Sequence, residues 1–317
     1  YKRVSMKIKI LKILREKKDY VSGEMLSKQL AISREAVWKN ISLLKRYGYL
    51  IEAKKGKGYK LIAKSKLLLP WEIQDGLDTE FIGKKIIHKM SIDSTQDLAI
   101  SIADKEEEGT VIIAEEQRRG RGRRGRVWHA PKGGIWFSLI LKPEIEPWRV
   151  TLLPLAVGLA ITDTIAMLGI KATLKWPNDV MINDRKVSGI LLDMSSEQDK
   201  INYIVIGIGI NANIDNPSRY AYNATSLKDE LKRDIDRIDF MRRLLKNIEK
   251  RYMQLDDEQL LEDYKKRCIT LNKRVKVRSF DEEYDADAVN IDRDGSLIVV
   301  LDDNSIRRVF AGDVSIR

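Results

Sequence analysis

The 317-residue sequence is poor in side chains that form covalent cross-links or bind transition metals. It contains one cysteine, Cys268, and two histidines, His88 and His129. A single cysteine excludes an internal disulfide and a cysteine-rich metal site, and two histidines argue against a zinc site. No apolar run approaches the roughly 20 residues that span a bilayer, and the first residues do not resemble a signal peptide. We therefore expect a cytoplasmic protein.

Excess positive charge is absent from most of the chain. Residues 1–66 contain 19 Lys and Arg against 5 Asp and Glu, whereas residues 67–317 contain 39 against 42. The net charge of +11 therefore originates in the first fifth of the chain. A solvated basic surface would be the ordinary explanation. A basic segment that also carries a DNA-binding pattern favours a polyanionic partner instead.

This basic segment has the pattern of a helix-turn-helix. Apolar residues recur at helical spacing over residues 6–15, 23–30 and 34–47. Ser22 and Ser33 stand where the N-caps of the second and third helices are expected. Two capped helices separated by about three residues predict a helix-turn-helix.

A β-hairpin is predicted to follow the third helix. Apolar residues 49–53 and 59–62 flank a basic, glycine-containing segment at 54–58, which is typical of the wing of a winged helix. We predict a DNA-binding domain over residues 1–66, and a helical protein-interaction domain with an accidental charge bias is the alternative. The residues expected to contact DNA are Ser33, Arg34, Trp38, Lys39, Asn40 and Lys57.

Residues 67–271 alternate short Val- and Ile-rich segments with longer amphipathic ones. Strands are expected over 111–115, 135–141, 175–176, 180–182, 188–192 and 203–208, and helices over 97–104, 151–168 and 240–254. Few helices separate these strands, so we predict a mixed or largely antiparallel sheet.

The most distinctive local feature is the run Gly120-Arg121-Gly122-Arg123-Arg124-Gly125-Arg126, hereafter the Gly/Arg run. Glycine lets backbone N–H groups approach anionic oxygens, and arginine supplies forked cationic donors suited to phosphate and carboxylate. A disordered basic loop or an RGG-like nucleic-acid segment is the alternative. Because the run is short and lies between predicted strands, we expect a structured anion-binding loop.

Seven short motifs follow one another through the middle of the chain. They are Asp93-Ser94-Thr95, Glu108-Gly109-Thr110, Glu115-Glu116-Gln117, the Gly/Arg run, Lys175-Trp176-Pro177-Asn178-Asp179, Lys186-Val187-Ser188-Gly189-Ile190-Leu191 and Gly207-Ile208-Gly209-Ile210-Asn211. Each is weak alone. In this order and spacing they resemble the biotin–protein ligases, specifically the bifunctional members that carry a winged helix and repress the biotin operon.

The resemblance implies a two-step reaction. The biotin carboxylate attacks the α-phosphate of ATP to form biotinyl-5'-adenylate, and a lysine of a carrier protein then attacks the activated carbonyl. Joining two anions requires cations rather than a protein nucleophile. The resemblance assigns these catalytic roles to Lys186, Arg121 and Arg123.

Further roles are implied in the same way. The biotin contacts would be Ser94, Thr95, Gln117, Arg121 and Lys186. The nucleotide contacts would be Arg123, Arg126, Trp128, Asn178 and Asn211. Asp179 would lie near Mg²⁺ or the incoming lysine.

Plain structural explanations exist for several of these residues. Trp128 could be a core aromatic, Asn178-Asp179 an ordinary turn, and Lys186 a solvent-facing hairpin residue. Gly207 and Gly209 interrupt an Ile-rich strand and indicate a bulge or a close approach of backbone or ligand.

Residues 272–317 predict a third, small domain. Short strands are expected over 275–277, 285–291, 294–300 and 309–314, which suggests a small β-barrel. It resembles the SH3-like C-terminal domain of the same family, expected to complete the nucleotide or acceptor site. A structural lid is the alternative.

Taken together, the predicted fold is an α+β multidomain chain. It comprises a winged helix-turn-helix at 1–66, a mixed-sheet α/β ligase domain at 67–271 and an SH3-like barrel at 272–317. The resemblance implies ATP and Mg²⁺ as cofactors, biotin as substrate, and a biotin carboxyl carrier protein, operator DNA and a second copy of the chain as partners.

Two other functions remain open from the sequence. One is a lipoate-attaching enzyme with a related fold, and the other is a DNA-binding biotin sensor without significant turnover. The presence of Lys186, Arg121 and Arg123 favours an enzyme, because a sensor has no need of a cationic cluster that stabilises a transition state.

Overall fold

A computed structural model of the protein describes residues 5–197, 200–221, 223–278, 282–310 and 312–316. The chain divides into two compact units, Tyr1–Trp71 and Glu72–Arg317.

The first unit contains three helices and a hairpin. Its elements are α1 (Met6–Lys17), α2 (Gly23–Leu30), α3 (Arg34–Arg46), β1 (Leu50–Lys54) and β2 (Gly58–Ala63). Ser22 Oγ accepts a hydrogen bond from Met25 N at 3.0 Å, and Ser33 Oγ accepts one from Ala36 N at 3.1 Å. Both predicted N-caps and the predicted hairpin are therefore confirmed.

One apolar core holds this unit together. Val37, Ile41 and Leu44 of α3 are buried in the same cluster as Leu11 of α1 and Leu26 of α2. This inward face leaves the opposite face of α3 to solvent, as expected for an amphipathic helix.

The segment that follows the hairpin belongs to the same unit. Ser65 is buried, and its hydroxyl donates to Tyr47 O at 2.5 Å. Trp71 Nε1 donates to the hydroxyl of Tyr49 at 2.8 Å, and Leu69 lies in the core. Residues 65–71 therefore pack against the helical part of the first unit.

The second unit is built on a seven-stranded sheet. Its strand order is β3-β4-β7-β11-β10-β9-β8, and among the described strands of this sheet only the β3–β4 pair is parallel. The prediction of a mixed, largely antiparallel sheet is confirmed. Helix α4 (Pro70–Gln74) contains the boundary between the two units. The other elements up to the C-terminal strands are β3 (Ile86–Lys89), α5 (Thr95–Ile102), β4 (Val111–Ala114), β5 (Gln117–Arg121), β6 (Val127–Ala130), β7 (Ile135–Leu141), α6 (Leu152–Ala166), β8 (Thr173–Lys175), β9 (Asp179–Ile182), β10 (Arg185–Glu197), β11 (Lys200–Ile210), α7 (Leu227–Leu231), α8 (Arg237–Tyr252) and α9 (Glu258–Arg267).

Helix α6 corrects one expectation from the sequence. With the turn before it, it forms a helical segment, Pro147–Ala166, that is long and apolar enough to cross a bilayer. Most of this segment is buried inside the unit, where α6 packs against α8 and α9. Its apolar composition therefore reflects its place in the core, since a helix buried on all sides carries no polar face.

The C-terminal strands form a five-stranded antiparallel sheet. They are β12 (Lys273–Arg278), β13 (Glu283–Ile291), β14 (Leu297–Val300), β15 (Ile306–Val309) and β16 (Asp313–Ile316), in the order β15-β14-β13-β12-β16. Within the described residues the edge strands β15 and β16 do not pair with each other, so the predicted closed barrel is not confirmed.

A glycine turn attaches this sheet to the rest of the second unit. Trp176 Nε1 donates to Gly295 O at 2.9 Å, and the Thr151 hydroxyl donates to Asp294 O. Gly295 has φ +80°, and a Cβ there would lie 3.2 Å from Leu155 Cδ1. A left-handed backbone in so close a contact favours glycine.

Candidate functional site

The predicted DNA-binding residues lie on the surface of the first unit. Arg34, Trp38 and Lys39 are exposed on α3, and Lys57 is exposed in the turn of the hairpin. Trp38 has 58% of its surface accessible, which is unusual for a large apolar side chain.

Two of the predicted DNA contacts are already engaged within the helix. The Asn40 amide donates to Ala36 O at 2.8 Å, and Ser33 Oγ serves as the N-cap. Lys39 pairs with Glu35 at 2.7 Å in a surface i,i+4 pair. Such pairs are weak and exchange readily, so the lysine remains available to a phosphate.

The second unit contains a cavity of about 560 Å³ beside the central sheet. The start of α5, strands β9 to β11 and the β5–β6 hairpin contribute to its walls, and Ser315 of β16 joins them. Ten of the eleven residues predicted to handle biotin, nucleotide or metal line this cavity. They are Ser94, Thr95, Gln117, Arg121, Arg123, Arg126, Trp128, Asn178, Asp179 and Lys186.

Asn211 is the one that the cavity lining does not include. Its amide donates to Thr225 O at 3.0 Å, and the residue is buried below the end of β11. In this arrangement Asn211 fixes the segment that follows the strand, and its contact with a nucleotide stays a prediction.

Hydroxyl and amide groups line one end of the cavity. Gln117 Oε1 accepts from Thr95 N at 2.7 Å and lies 3.1 Å from Thr95 Oγ1. The Thr95 hydroxyl also lies 2.9 Å from Ser138 Oγ on β7. Ser94 caps α5 by accepting from Asp97 N at 3.2 Å. The Ser-Thr pair is thus held by a helix start, which makes it a rigid polar surface.

Two glycines of β11 make room for side chains at this wall. A Cβ at Gly207 would lie 2.6 Å from Gln96 Oε1, and a Cβ at Gly209 would lie 2.6 Å from Trp128 Cε2. Both glycines do mark a close approach, but the approaching groups are side chains and not the backbone or ligand that was predicted.

Trp128 lines the cavity beside two glycines. Its ring lies against Gly209 and Gly189, and Lys186 Nζ lies 5.3 Å from the ring centroid. The indole Nε1 is buried without a hydrogen-bond partner among the described residues. A buried donor left unpaired is uncommon in proteins, so this nitrogen offers a hydrogen bond to a ligand.

Two cations of the cavity, Arg121 and Lys186, are held by carboxylates. Arg121 Nη1 donates to Asp97 Oδ1 at 2.8 Å, and its Nη2 lies 3.5 Å from Asp193 Oδ1. Lys186 Nζ lies 2.5 Å from Asp179 Oδ1. Arg121 and Lys186 are therefore fixed in direction while the cavity retains an anion-attracting lining.

The Gly/Arg run is structured, as predicted. It forms the end of β5, a tight turn and the approach to β6. Arg123 donates to Asn178 Oδ1 at 2.9 Å and to Gly312 O at 3.1 Å, and Arg124 donates to Arg278 O at 2.9 Å. Two backbone carbonyls of the C-terminal sheet thus hold the run in place.

The donor set does not fit a metal ion held by the protein. No group of three His, Cys, Asp or Glu side chains comes together in the described part of the chain. Asp179, predicted as the metal contact, is occupied by Lys186. Mg²⁺ is often bound largely through substrate phosphates and water, so an ion delivered with ATP would not need such a group.

Sequence reasoning missed several residues of the cavity. Gln96, Ser138, Lys175, Asn223 and Ser315 also line it. Lys175 is the first residue of the Lys175–Asp179 motif and could have been predicted from it. Ser138 and Ser315 occupy ordinary strand positions, and only the fold brings them to the site.

Three family models match the chain in the order of its domains. "HTH domain" matches residues 7–60, "Biotin/lipoate A/B protein ligase family" matches 89–211, and "Biotin protein ligase C terminal domain" matches 270–317. Fold and cavity therefore define a ligase of the biotin and lipoate class, preceded by a helix-turn-helix.

Individual relatives narrow this class. The bifunctional ligase/repressor BirA of Bacillus spizizenii is 36% identical over 94% of both chains, and that of Escherichia coli is 30% identical over 94% of both. The biotin protein ligase from Aquifex aeolicus in complex with biotin and ATP matches with a TM-score of 0.62 and 28% identity, covering 74% of this chain and 99% of its own. The chain belongs to the BirA family of bifunctional ligase/repressors.

Proposed function

We propose that the protein converts biotin and ATP to biotinyl-5'-adenylate and pyrophosphate, and then transfers biotin to a lysine of a biotin carboxyl carrier protein. Its first unit binds operator DNA and represses genes for biotin synthesis and transport. The observation that supports this function most directly is that ten predicted site residues, among them Arg121, Arg123 and Lys186, line one cavity.

The first step follows from the charges of the cavity. A carboxylate oxygen of biotin forms a bond to the α-phosphorus of ATP, and the bond to the bridging oxygen of pyrophosphate breaks. Both reactants are anions, so the barrier falls when fixed cations face the atoms where charge develops. We assign Arg121 and Lys186 to the biotin carboxylate and Arg123 to the phosphate.

The remaining cavity residues bind and orient the substrates. Ser94, Thr95 and Gln117 form the rigid polar end that suits the ureido ring of biotin. Trp128, with its free indole donor, and Arg126 are assigned with Asn178 and Asn211 to the nucleotide.

In the second step, the ε-amine of the acceptor lysine attacks the activated carbonyl and AMP leaves with the electron pair. The amine gives up a proton to water in this step. Asp179 already forms an ion pair with a lysine amine, that of Lys186, and we assign it the same contact with the incoming lysine.

The ligase and DNA-binding activities are coupled in this proposal. Biotinyl-adenylate binds against the Gly/Arg run and favours a homodimer formed through an edge of the central sheet, whose end strands are β3 and β8. Two winged helices then meet a two-fold operator. Operator affinity unchanged by biotin and ATP would contradict the coupling.

The domain limits accompany this function. We propose a DNA-binding domain at 1–66, a catalytic domain at 67–271 and an SH3-like domain at 272–317 that completes the nucleotide or acceptor site. Contacts of Arg123 and Arg124 with backbone of the last domain support that role. We propose a cytoplasmic location, where ATP and carrier protein occur.

Mass spectrometry tests the proposal. The full chain is incubated with biotin, ATP and Mg²⁺, beside a lipoate control, and a carrier-domain acceptor is added in a second tube. Biotinyl-adenylate and a biotinylated acceptor lysine are the expected products. Adenylate from lipoate alone would indicate a lipoate enzyme, and no adenylate from either acid would indicate a DNA-binding sensor.

A further inference from the structure

We infer that Gln96 and Asp193 are positioning residues that fix the guanidinium of Arg121 for the biotin carboxylate. The inference rests on the proposed function, which assigns that carboxylate to Arg121. Neither residue belongs to the predicted site, and the two are 97 positions apart in the sequence.

Gln96 is buried, and its amide is nearly saturated with hydrogen bonds. Nε2 donates to Asp193 Oδ2 at 2.9 Å and to Val205 O at 3.0 Å, while Oε1 accepts from Ser138 Oγ at 2.9 Å. With both hydrogens committed to protein acceptors, the amide has no spare donor for a ligand. Its effect on a substrate must therefore pass through its neighbours.

The length of the side chain is essential to this arrangement. Gln96 extends from the first turn of α5 across Gly207 of β11 to Asp193 on β10. A Cβ at Gly207 would lie 2.6 Å from Gln96 Oε1, so only glycine leaves space for the amide. An asparagine, one methylene shorter, would not reach Asp193 from the same backbone position.

Asp193 transmits this constraint to Arg121. One carboxylate oxygen accepts from Gln96, and the other lies 3.5 Å from Arg121 Nη2. Asp97 takes Nη1 at 2.8 Å, so the guanidinium lies between a carboxylate of α5 and one of β10. Two fixed acceptors define both position and plane of a forked donor.

Such positioning favours binding over chemistry. Arg121 is 39% exposed, and without its acceptors it would have many rotamers to lose when a ligand arrives. Ordering a long side chain in advance reduces the entropic cost of binding. We therefore expect loss of Gln96 or Asp193 to weaken capture of biotin and to leave the adenylation rate at saturation almost unchanged.

Three variants of the full chain test the inference: Gln96→Met, Gln96→Asn and Asp193→Asn. Methionine keeps the length without the amide, and asparagine keeps the amide without the length. The Kd of biotin alone is measured by titration calorimetry, and KM for biotin and kcat by adenylate formation. Each variant should raise Kd and KM about three- to ten-fold, the cost of ordering one freed side chain when biotin binds, with kcat within about two-fold.

The double variant Gln96→Met/Asp193→Asn identifies the route of the effect. If Gln96 acts through Asp193, the double variant binds biotin no more weakly than Asp193→Asn alone. Effects that multiply would overturn the inference. Asp193 is about one-third exposed, so its variant remains informative if the buried Gln96 variants fold poorly.

Gln74→Met is the matched control. Gln74 Nε2 also donates to two backbone carbonyls, those of Gly83 and Lys84, but lies outside the cavity. Its Kd for biotin should equal that of the parent. If the parent is active and the Gln96→Met and Asp193→Asn variants bind biotin as tightly as the parent does, only the inference is overturned. If the parent makes no adenylate, both the proposed function and the inference are overturned.

Discussion

The two units present their functional side chains in opposite ways. In the first unit Arg34, Trp38 and Lys57 are exposed, and none of them belongs to the apolar core. In the second unit Arg121 and Lys186 face a cavity and are tied to carboxylates from other elements. The first is a surface of independent groups, and the second is a network.

This difference has a thermodynamic consequence. Exposed charges act through solvent, so their contributions are small, nearly additive and screened by salt. Groups that share hydrogen bonds in a partly buried site are coupled, and removal of one leaves its partner uncompensated. The following predictions test the contrast, from the largest expected effect to the smallest.

The largest effect on stability is expected at a buried ion pair of the second unit, Arg237–Glu115. Arg237 of α8 donates to Glu115 Oε2 at 3.0 Å and to Gly134 O at 2.8 Å, and His88 lies 3.2 Å from the other Glu115 oxygen. Arg237→Ala should lower the free energy of unfolding by about 3–5 kcal/mol, because the buried Glu115 carboxylate loses its arginine partner. Urea denaturation measures this.

The control for that variant is an exposed pair on the same helix. Arg243 pairs with Asp239 at 2.7 Å on the surface of α8. Arg243→Ala should cost no more than about 0.5 kcal/mol. Equal losses from both variants would remove the distinction between network and surface.

The next effect separates the two activities. Lys186→Ala should weaken biotin binding by about 1.5–3 kcal/mol and slow adenylation, because a charged hydrogen bond to the carboxylate is lost. DNA binding by the unliganded variant should be unchanged, since Lys186 belongs to the other unit. Calorimetry with biotin and an electrophoretic shift assay with DNA check both parts. Unaltered turnover would refute the assignment of Lys186.

Two serines allow the same substitution in both regions. Ser33 caps α3 and Ser94 caps α5, each by accepting from the backbone N–H three residues on. Alanine at either position should reduce stability by about 1 kcal/mol. Only Ser94→Ala should also raise the Kd of biotin, because Ser94 lines the cavity. A matching rise in Ser33→Ala would contradict the independence of the surface groups.

The smallest effect concerns a single surface charge. The logarithm of DNA affinity should fall linearly with the logarithm of salt concentration, with a slope of about −0.9 for each phosphate contacted. Lys57→Gln should make that slope shallower by about 0.9 while leaving biotin binding unchanged. Fluorescence anisotropy with a labelled random-sequence duplex measures the slope. A slope equal to that of the parent would remove Lys57 from the interface.

The two regions also differ in how far the sequence predicts them. In the first unit, Ser22, Ser33 and the apolar spacing are local signals, and the helices begin where these signals stand. In the second unit, motif order located most of the cavity lining. It could not locate Asp193, because the contact with Gln96 depends on how a helix start and a strand meet in three dimensions.

Local sequence patterns did not predict contacts that depend on tertiary structure. The Gln96 amide was missed because nothing near it in sequence indicates that Gly207 will lie beneath it. Asn211 is the last residue of the Gly207–Asn211 motif. Its amide nevertheless donates to Thr225 O, because the chain folds back beside it after β11. Closure of the C-terminal strands depends on edge pairing, which alternating apolar residues do not encode.

The attachment of the Gly/Arg run to the C-terminal sheet has a consequence for sequence change. Arg123 and Arg124 bind carbonyl oxygens at positions 312 and 278, and no side chain of the sheet takes part in these two bonds. Any amino acid at position 278 offers the same acceptor, whereas a Cβ at Gly312 would lie 3.1 Å from Arg278 O and would crowd it. The sheet side of these two bonds therefore depends on the backbone course and on the small size of residue 312, while the other side depends on the guanidinium groups of two arginines.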